Sequence, residues 1–276
     1  MAANYSMNRQ YFEKIAQSLA SGSLQDEAWQ LVPSSISARV AKSYDEKSGE
    51  FIYCKVFLPR NTLEIVKQYL RGSRARRAAD NASLLTQLGF ETPKVIESGT
   101  RAAYSWLVTE GVNAVGLGDY LDKCLRGKLS SERIRWKRNI ITALGTLVGR
   151  LHKKGIVHGD LRLNNILIDT QSITPRFYLV DNERNQYFSN KKVLPKELVI
   201  KNLVQVALLF PPYGSRLDQC RFIKAYRQQM NSLTAGQFKE MLKTVDNKIA
   251  ERLKKLAKKP AWQNSLDLRV IENLPD

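Results

Sequence analysis

The sequence predicts an α+β protein of two unequal lobes, a small strand-rich one with a single helix followed by a larger, mainly helical one. Three observations lead to this. Two apolar stretches, Ile36 to Val40 and Phe51 to Phe57, flank the turn-forming run Asp45 to Gly49 and read as a hairpin. Beyond Ser131 the apolar residues recur instead at helical spacing. Between the two regimes, Gly111 to Gly118 reads as a connector. The expected division is therefore residues 1–111, with an N-terminal extension over about 1–30, and residues 112–276.

Each element has its own signal. Pro59 ends the hairpin, and the basic run Ser73 to Leu88 places Ala78, Ala82, Leu85 and Leu88 at helical spacing before Gly89 stops it. Strands are expected at Lys94 to Glu97 and Ala103 to Thr109. From Ser131, the stripe Ile134, Ile140, Ile141, Leu144, Leu147, Val148 and Leu151 predicts a long helix. Serines precede it and Lys153, Lys154 and Gly155 close it. Short strands at Ile166 to Ile168 and Phe177 to Val180 bracket a turn at Asp169 to Ser172. After Pro195 further helices follow, with stripes through Leu198, Leu203, Val206 and Leu209, then Phe238, Met241, Leu242, Val245, Ile249, Leu253 and Leu256.

Composition narrows the chemistry. A chain of 276 residues that is 43% apolar can bury a sizeable core. No apolar run approaches the roughly 20 residues that span a bilayer, since Lys201 interrupts Leu198 to Phe210, and the opening residues lack a secretory layout. A cytoplasmic protein, soluble or at a membrane surface, is expected. Cys54, Cys124 and Cys220 form no CxxC pair and read as reduced, and with only His152 and His158 a zinc site is not expected. Any metal should be a hard cation held by oxygen.

The formal charge of +18 predicts attraction to a polyanion: nucleic acid, anionic lipid or phosphorylated glycan. The charge lies in clusters: Arg71, Arg74, Arg76 and Arg77; Arg126, Lys128, Arg133, Arg135, Lys137 and Arg138; and Lys254, Lys255, Lys258 and Lys259. Aromatic residues are sparse among them, which disfavours RNA or DNA as the partner.

The run His158-Gly159-Asp160-Leu161-Arg162-Leu163-Asn164-Asn165 follows the long helix and precedes a short strand, and Asp181 ends the next strand, 21 residues after Asp160. Lys55 lies on the second strand of the early hairpin. Phosphoryl transfer calls for such groups: a carboxylate for the acceptor proton, oxygens for magnesium, and cations against the phosphates. The set resembles the catalytic machinery of the protein-kinase superfamily, with its two-lobed fold, ATP and Mg2+.

That resemblance implies a catalytic Asp160, Arg162 beside the transferred phosphate, Asn165 and Asp181 on magnesium, and Lys55 on the phosphates. It also implies backbone contacts from Glu110 and Val112 to adenine, with Asp80 as the partner of Lys55. Three features depart from the superfamily. Ala38 to Gly49 holds no glycine-rich loop, so the region from Ser34-Ser35 to Ser43 is left to cover the phosphates. The metal motif reads Asp181-Asn182-Glu183, and the Ser73 to Leu88 helix has no Glu.

Further segments are 55–60 (Lys-Val-Phe-Leu-Pro-Arg), 73–78 leading to 88–93, 180–184 (Val-Asp-Asn-Glu-Arg) and 221–226. Together they resemble the bacterial lipopolysaccharide kinases of heptose and Kdo core sugars, over roughly residues 35 to 230. This implies ATP- and Mg2+-dependent phosphorylation of a core-sugar hydroxyl, a lipid A glycolipid acceptor, and peripheral attachment to the anionic inner-membrane surface. The helix ending in Lys254-Lys255-Leu256-Ala257-Lys258-Lys259 either lies in that interface or packs on the large lobe. Two alternatives stay open: a protein Ser/Thr or small-molecule kinase of the same fold, and a non-catalytic pseudokinase or nucleic-acid-binding scaffold.

Overall fold

The computed structural model describes residues 8–257 apart from 47, 60, 62–63, 66–69, 126, 190–193 and 231–232. Two compact units emerge, residues 1–113 with 178–184, and residues 114–177 with 185–276.

In the first unit, β1 (Trp29–Val32), β2 (Ala38–Asp45), β3 (Glu50–Phe57), β4 (Val95–Arg101) and β5 (Tyr104–Glu110) form one sheet in the order β1-β2-β3-β5-β4. Strands alternate the faces of successive side chains, so Ile52, Cys54 and Val56 of β3 point one way while Tyr53, Lys55 and Phe57 point the other. Helix α1 (Arg9–Ser21) covers the first face, where Phe12, Ile15, Ala16 and Leu19 pack on Trp29, Ala41, Ile52, Cys54, Val56, Trp106 and Val108. The Asn8 side chain accepts from the Tyr11 amide at the start of α1, and Gly22, at φ 83°, ends it. Arg39 then donates to the Leu19 and Ala20 carbonyls at 2.7 Å each.

The stretch expected as an N-terminal extension thus supplies a helix and an edge strand of this unit. Its local signals were the cap at Asn8 and apolar residues at helical spacing. Helix α2 (Arg74–Gln87), capped by Ser73, serves the other face through Ala75 and Ala78 against Phe57 and Leu107. In the ladder, Lys55 pairs with Val40 on one side and Leu107 on the other.

The second unit opens with β6 (Ala114–Gly116), inside the stretch expected to be a connector, and α3 (Leu117–Cys124), which begins within it and runs beyond Gly118. β6 pairs with β8 (Ile166–Asp169), and β9 (Arg176–Leu179) completes a three-stranded sheet. α4 (Ser131–Lys153) is the long helix and leads into β7 (Ile156–Val157), which pairs with β10 (Gln186–Tyr187). Then follow α5 (Lys196–Ala207), α6 (Phe210–Tyr213), α7 (Arg216–Gln229) and α8 (Ala235–Ala257).

α4 and α7 approach closely because α4 turns Gly145 and Gly149 toward α7. A Cβ on Gly145 would stand 2.5 Å from the Phe222 carbonyl oxygen, and one on Gly149 2.9 Å from that of Tyr226. In α8 the stripe Phe238, Met241, Val245 and Leu253 is buried. That places its apolar face in the core of this unit, the packing alternative of the two expected for this helix; Lys258 and Lys259 lie outside the described residues. No helix among the described residues is long and apolar enough to cross a membrane.

Candidate active site

The predicted residues fall into two groups, one in each unit. In the first, Lys55 stands on the α2-side face of β3, and its Nζ lies 2.6 Å from Asp181 Oδ1. Phe57, two residues on and so on the same face, places its ring 4.9 Å from Lys55 Nζ and 4.8 Å from Arg74 Cζ. Asp181 has φ 63°, a left-handed backbone that costs a non-glycine residue energy and persists only where surroundings enforce it. Those surroundings are polar and specific. Buried Asn182 donates to Thr92 Oγ1 and the Leu179 carbonyl, and its own carbonyl accepts from Asn81 Nδ2 at 2.7 Å. Glu183 Oε1 accepts from Arg74 Nε at 2.9 Å and Nη2 at 2.6 Å, and the Glu183 carbonyl accepts from Arg77.

Asp80 does not take its expected place. Its side chain is 70% exposed and pairs with Arg76 one turn back along the helix, while Lys55 has Asp181. The physical reason is helical phase: Ala75, Ala78 and Ala82 form the buried side of α2 and Asp80 falls on the opposite one. Glu110 ends β5, its amide donates to the Lys94 carbonyl and its carboxylate pairs with Lys94; Val112 lies just beyond the strand. Where a glycine-rich loop was missing, Ser34 Oγ donates to the Ala38 carbonyl, and Ser37 is buried with its carbonyl accepting from Arg74.

In the second unit, the turn after β7 holds the run from His158 to Asn165. His158 is fully buried, its Nδ1 accepts from the Asp160 amide, and its backbone amide and carbonyl are both held by the Asn202 side chain. Lys201 donates to the Gly159 carbonyl at 2.7 Å. Gln205, one turn along α5, accepts from the Leu161 amide and donates to Asp160 Oδ1 at 2.7 Å. Arg162 chelates the other oxygen, with Nε at 2.9 Å and Nη2 at 2.6 Å from Oδ2. Asn165 donates its amide nitrogen to the Asp160 carbonyl at 2.8 Å, which leaves the side-chain oxygen as its acceptor end.

Asn202 also accepts from His152, whose other ring nitrogen meets the Tyr226 hydroxyl at 2.8 Å. With Asn202 Oδ1 as acceptor, the ring carries its proton on Nε2 and accepts from Tyr226 through Nδ1, the neutral tautomer. Burial pushes the His152 pKa down to about 4, only partly countered by the Asn202 hydrogen bond.

The donor types fit a hard cation. Asp181 in the first unit carries a carboxylate and Asn165 in the second an amide oxygen, and magnesium takes oxygens of both kinds. Lys55, Asp181, Asp160 and Asn165 were legible as a motif. Arg74, Lys201, Asn202 and Gln205 were not; from Asn202 and Gln205 to their partners the chain runs 44 or 45 residues, and no local pattern marks that.

The profile of the lipopolysaccharide kinase (Kdo/WaaP) family matches residues 26–226, well over half of the chain. The structure of WaaP in complex with acyl carrier protein is similar at TM-score 0.55 and 20% identity, over 86% of this chain and 91% of that one. An aminoglycoside-3'-phosphotransferase of type VIII is similar at TM-score 0.55 and 15% identity, over 85% and 98%. At these identities the likeness is one of fold. The EKC/KEOPS complex subunit bud32 of Aspergillus clavatus is 30% identical over 74 residues, which are 23% of this chain and only 27% of that relative's length.

Proposed function

Because the chain belongs to the lipopolysaccharide kinase (Kdo/WaaP) family and is thereby a phosphotransferase of lipopolysaccharide biosynthesis, we infer that it moves the γ-phosphate of ATP, with Mg2+, to a core-sugar hydroxyl. The acceptor would be a heptose or Kdo of a lipid A glycolipid at the inner-membrane surface. The observation that supports this best is the 2.6 Å pair of Lys55 and Asp181, brought together across 126 residues of sequence. A strand lysine and a carboxylate on a strained turn have little structural reason to meet while partly exposed, and good reason to meet as phosphate and metal ligands.

In this reading bound magnesium offsets charge on the phosphates. Asp181 and Asn165 would be its protein ligands, and Lys55 would steady the phosphates. Asp160 accepts the proton of the sugar hydroxyl, aimed by Gln205 through Oδ1. Arg162, paired with Asp160 Oδ2 in this structure, has an exposed side chain that can turn to the transferred phosphate. Glu110 and Val112 would offer backbone groups to adenine.

The net charge of +18 supports an acceptor at an anionic surface, where each Lys or Arg contributes about 1 kcal/mol. Binding to vesicles containing anionic lipid should weaken steeply with salt.

The test is transfer of label from ATP onto core glycolipid. Wild type should label it, and Asp160→Ala and Asp181→Ala should not. Activity surviving both changes would sink the assignment. Label appearing only on protein or a soluble metabolite would favour the same chemistry on another acceptor, and no nucleotide binding at all would favour a scaffold.

A further inference from the structure

Helix α2 bears Arg74, Arg77 and Asn81 at spacings of three and four residues, which align them along one side of the helix. All three reach the turn that carries Asp181. Arg74 holds the Glu183 carboxylate, Arg77 the Glu183 carbonyl, and Asn81 the Asn182 carbonyl. Glu183 is only 3% exposed, and among the described residues its Oε2 has no hydrogen-bond partner. An ionised carboxylate so buried needs a cation, and Arg74 supplies it through two donors on one oxygen.

In protein kinases the pair that orders such a site joins the strand lysine to a helix glutamate. Here the one acid on α2, Asp80, faces away. The charges are instead exchanged: the helix contributes the cation and the metal-motif turn the carboxylate. The strand lysine goes straight to Asp181, and both cations lie over the Phe57 ring.

We propose that Arg74, acting through Glu183, is the positioning residue that holds Asp181 in its left-handed, metal-ready conformation, in place of a helix glutamate paired with the strand lysine. The proposal rests on the phosphotransferase reading of Asp181. It makes the site standing rather than switched, since both ion pairs form without a phosphorylated segment.

The experiment measures Mn2+ binding by electron paramagnetic resonance in the presence of ATP, together with ATP binding in EDTA and the thermal midpoint. Arg74→Met should raise the Mn2+ concentration for half-saturation by about tenfold or more, with metal-free ATP binding unchanged. Glu183→Gln should act in the same sense. Arg74→Lys, which keeps the charge and serves if the Met variant does not fold, should fall between it and wild type.

Ala78→Gly weakens the same helix away from the turn and controls for stability. Mn2+ binding unchanged in the Arg74 variants, or lowered equally by Ala78→Gly, would overturn the proposal while leaving the kinase reading intact. A wild-type chain that binds no Mn2+ with ATP would overturn both.

Discussion

Lys55 Nζ lies 2.6 Å from Asp181 Oδ1, with both side chains about three-tenths exposed. A pair so open to water adds little to stability, on the order of 1 kcal/mol or less, and in the proposed reading its value is chemical. Lys55→Met should therefore leave the thermal midpoint close to wild type. It should lower phosphate transfer by about 10²-fold or more, the scale of losing one fixed charge aimed at a developing one. Steady-state kinetics beside calorimetry would separate the two effects.

Asp160 is held from both sides, by Gln205 on Oδ1 and Arg162 on Oδ2. Asp160→Asn should lower kcat by about 10² to 10⁴, the usual contribution of a positioned base. Gln205→Leu keeps the proposed base and loosens its aim, so kcat should fall by up to about 10²-fold with KM for ATP little changed.

His152 makes stability depend on pH. Its folded pKa, about 4, is depressed by burial below the ordinary imidazole value of 6.5. Below pH 6.5 the unfolded chain takes up a proton that the folded chain refuses, so stability falls as pH drops from about 6.5 to 4 and then levels. The loss attributable to this residue is about 3 kcal/mol. Denaturant midpoints across that window should show the slope in wild type and its absence in His152→Gln, whose lower overall stability is a separate, pH-independent offset.

Gly145 lets α4 approach the backbone of α7, with 2.5 Å between its hypothetical Cβ and the Phe222 oxygen. Gly145→Val should cost about 1 to 3 kcal/mol through overpacking, despite adding apolar volume, and a chemical denaturation curve would record it.

Burial pushes the Cys54 thiol up to about 12, whereas Cys220 is exposed. At pH 8 a thiol reagent should modify Cys220 in the folded protein and Cys54 only as fast as the sheet opens. Mass analysis of peptides over time would distinguish the two sites.

Several features were legible in the residue order because they are local. The hairpin of β2 and β3 announced itself by its turn, α4 by its apolar stripe, and the run from His158 to Asn165 by the spacing of Asp160 and Asn165. α1 was equally local in its signals yet read as an extension, since nothing near it in sequence shows that the sheet has a second face to cover. β6 escaped for a related reason: three residues have no periodicity, and they become a strand only by pairing with β8.

What the sequence by itself determined was the fold class and the kinds of groups the chemistry needs, because alternation, helical spacing and motif spacing are written within a few turns of chain. Only the tertiary structure decided how those groups are held. It gave Lys55 to Asp181 rather than Asp80, made Gln205 the support of Asp160, and put Arg74 against Glu183 across 109 residues. Buried carboxylates and strained turns need partners, and which partners arrive depends on helix phase and strand register, which are settled only when the apolar faces pack.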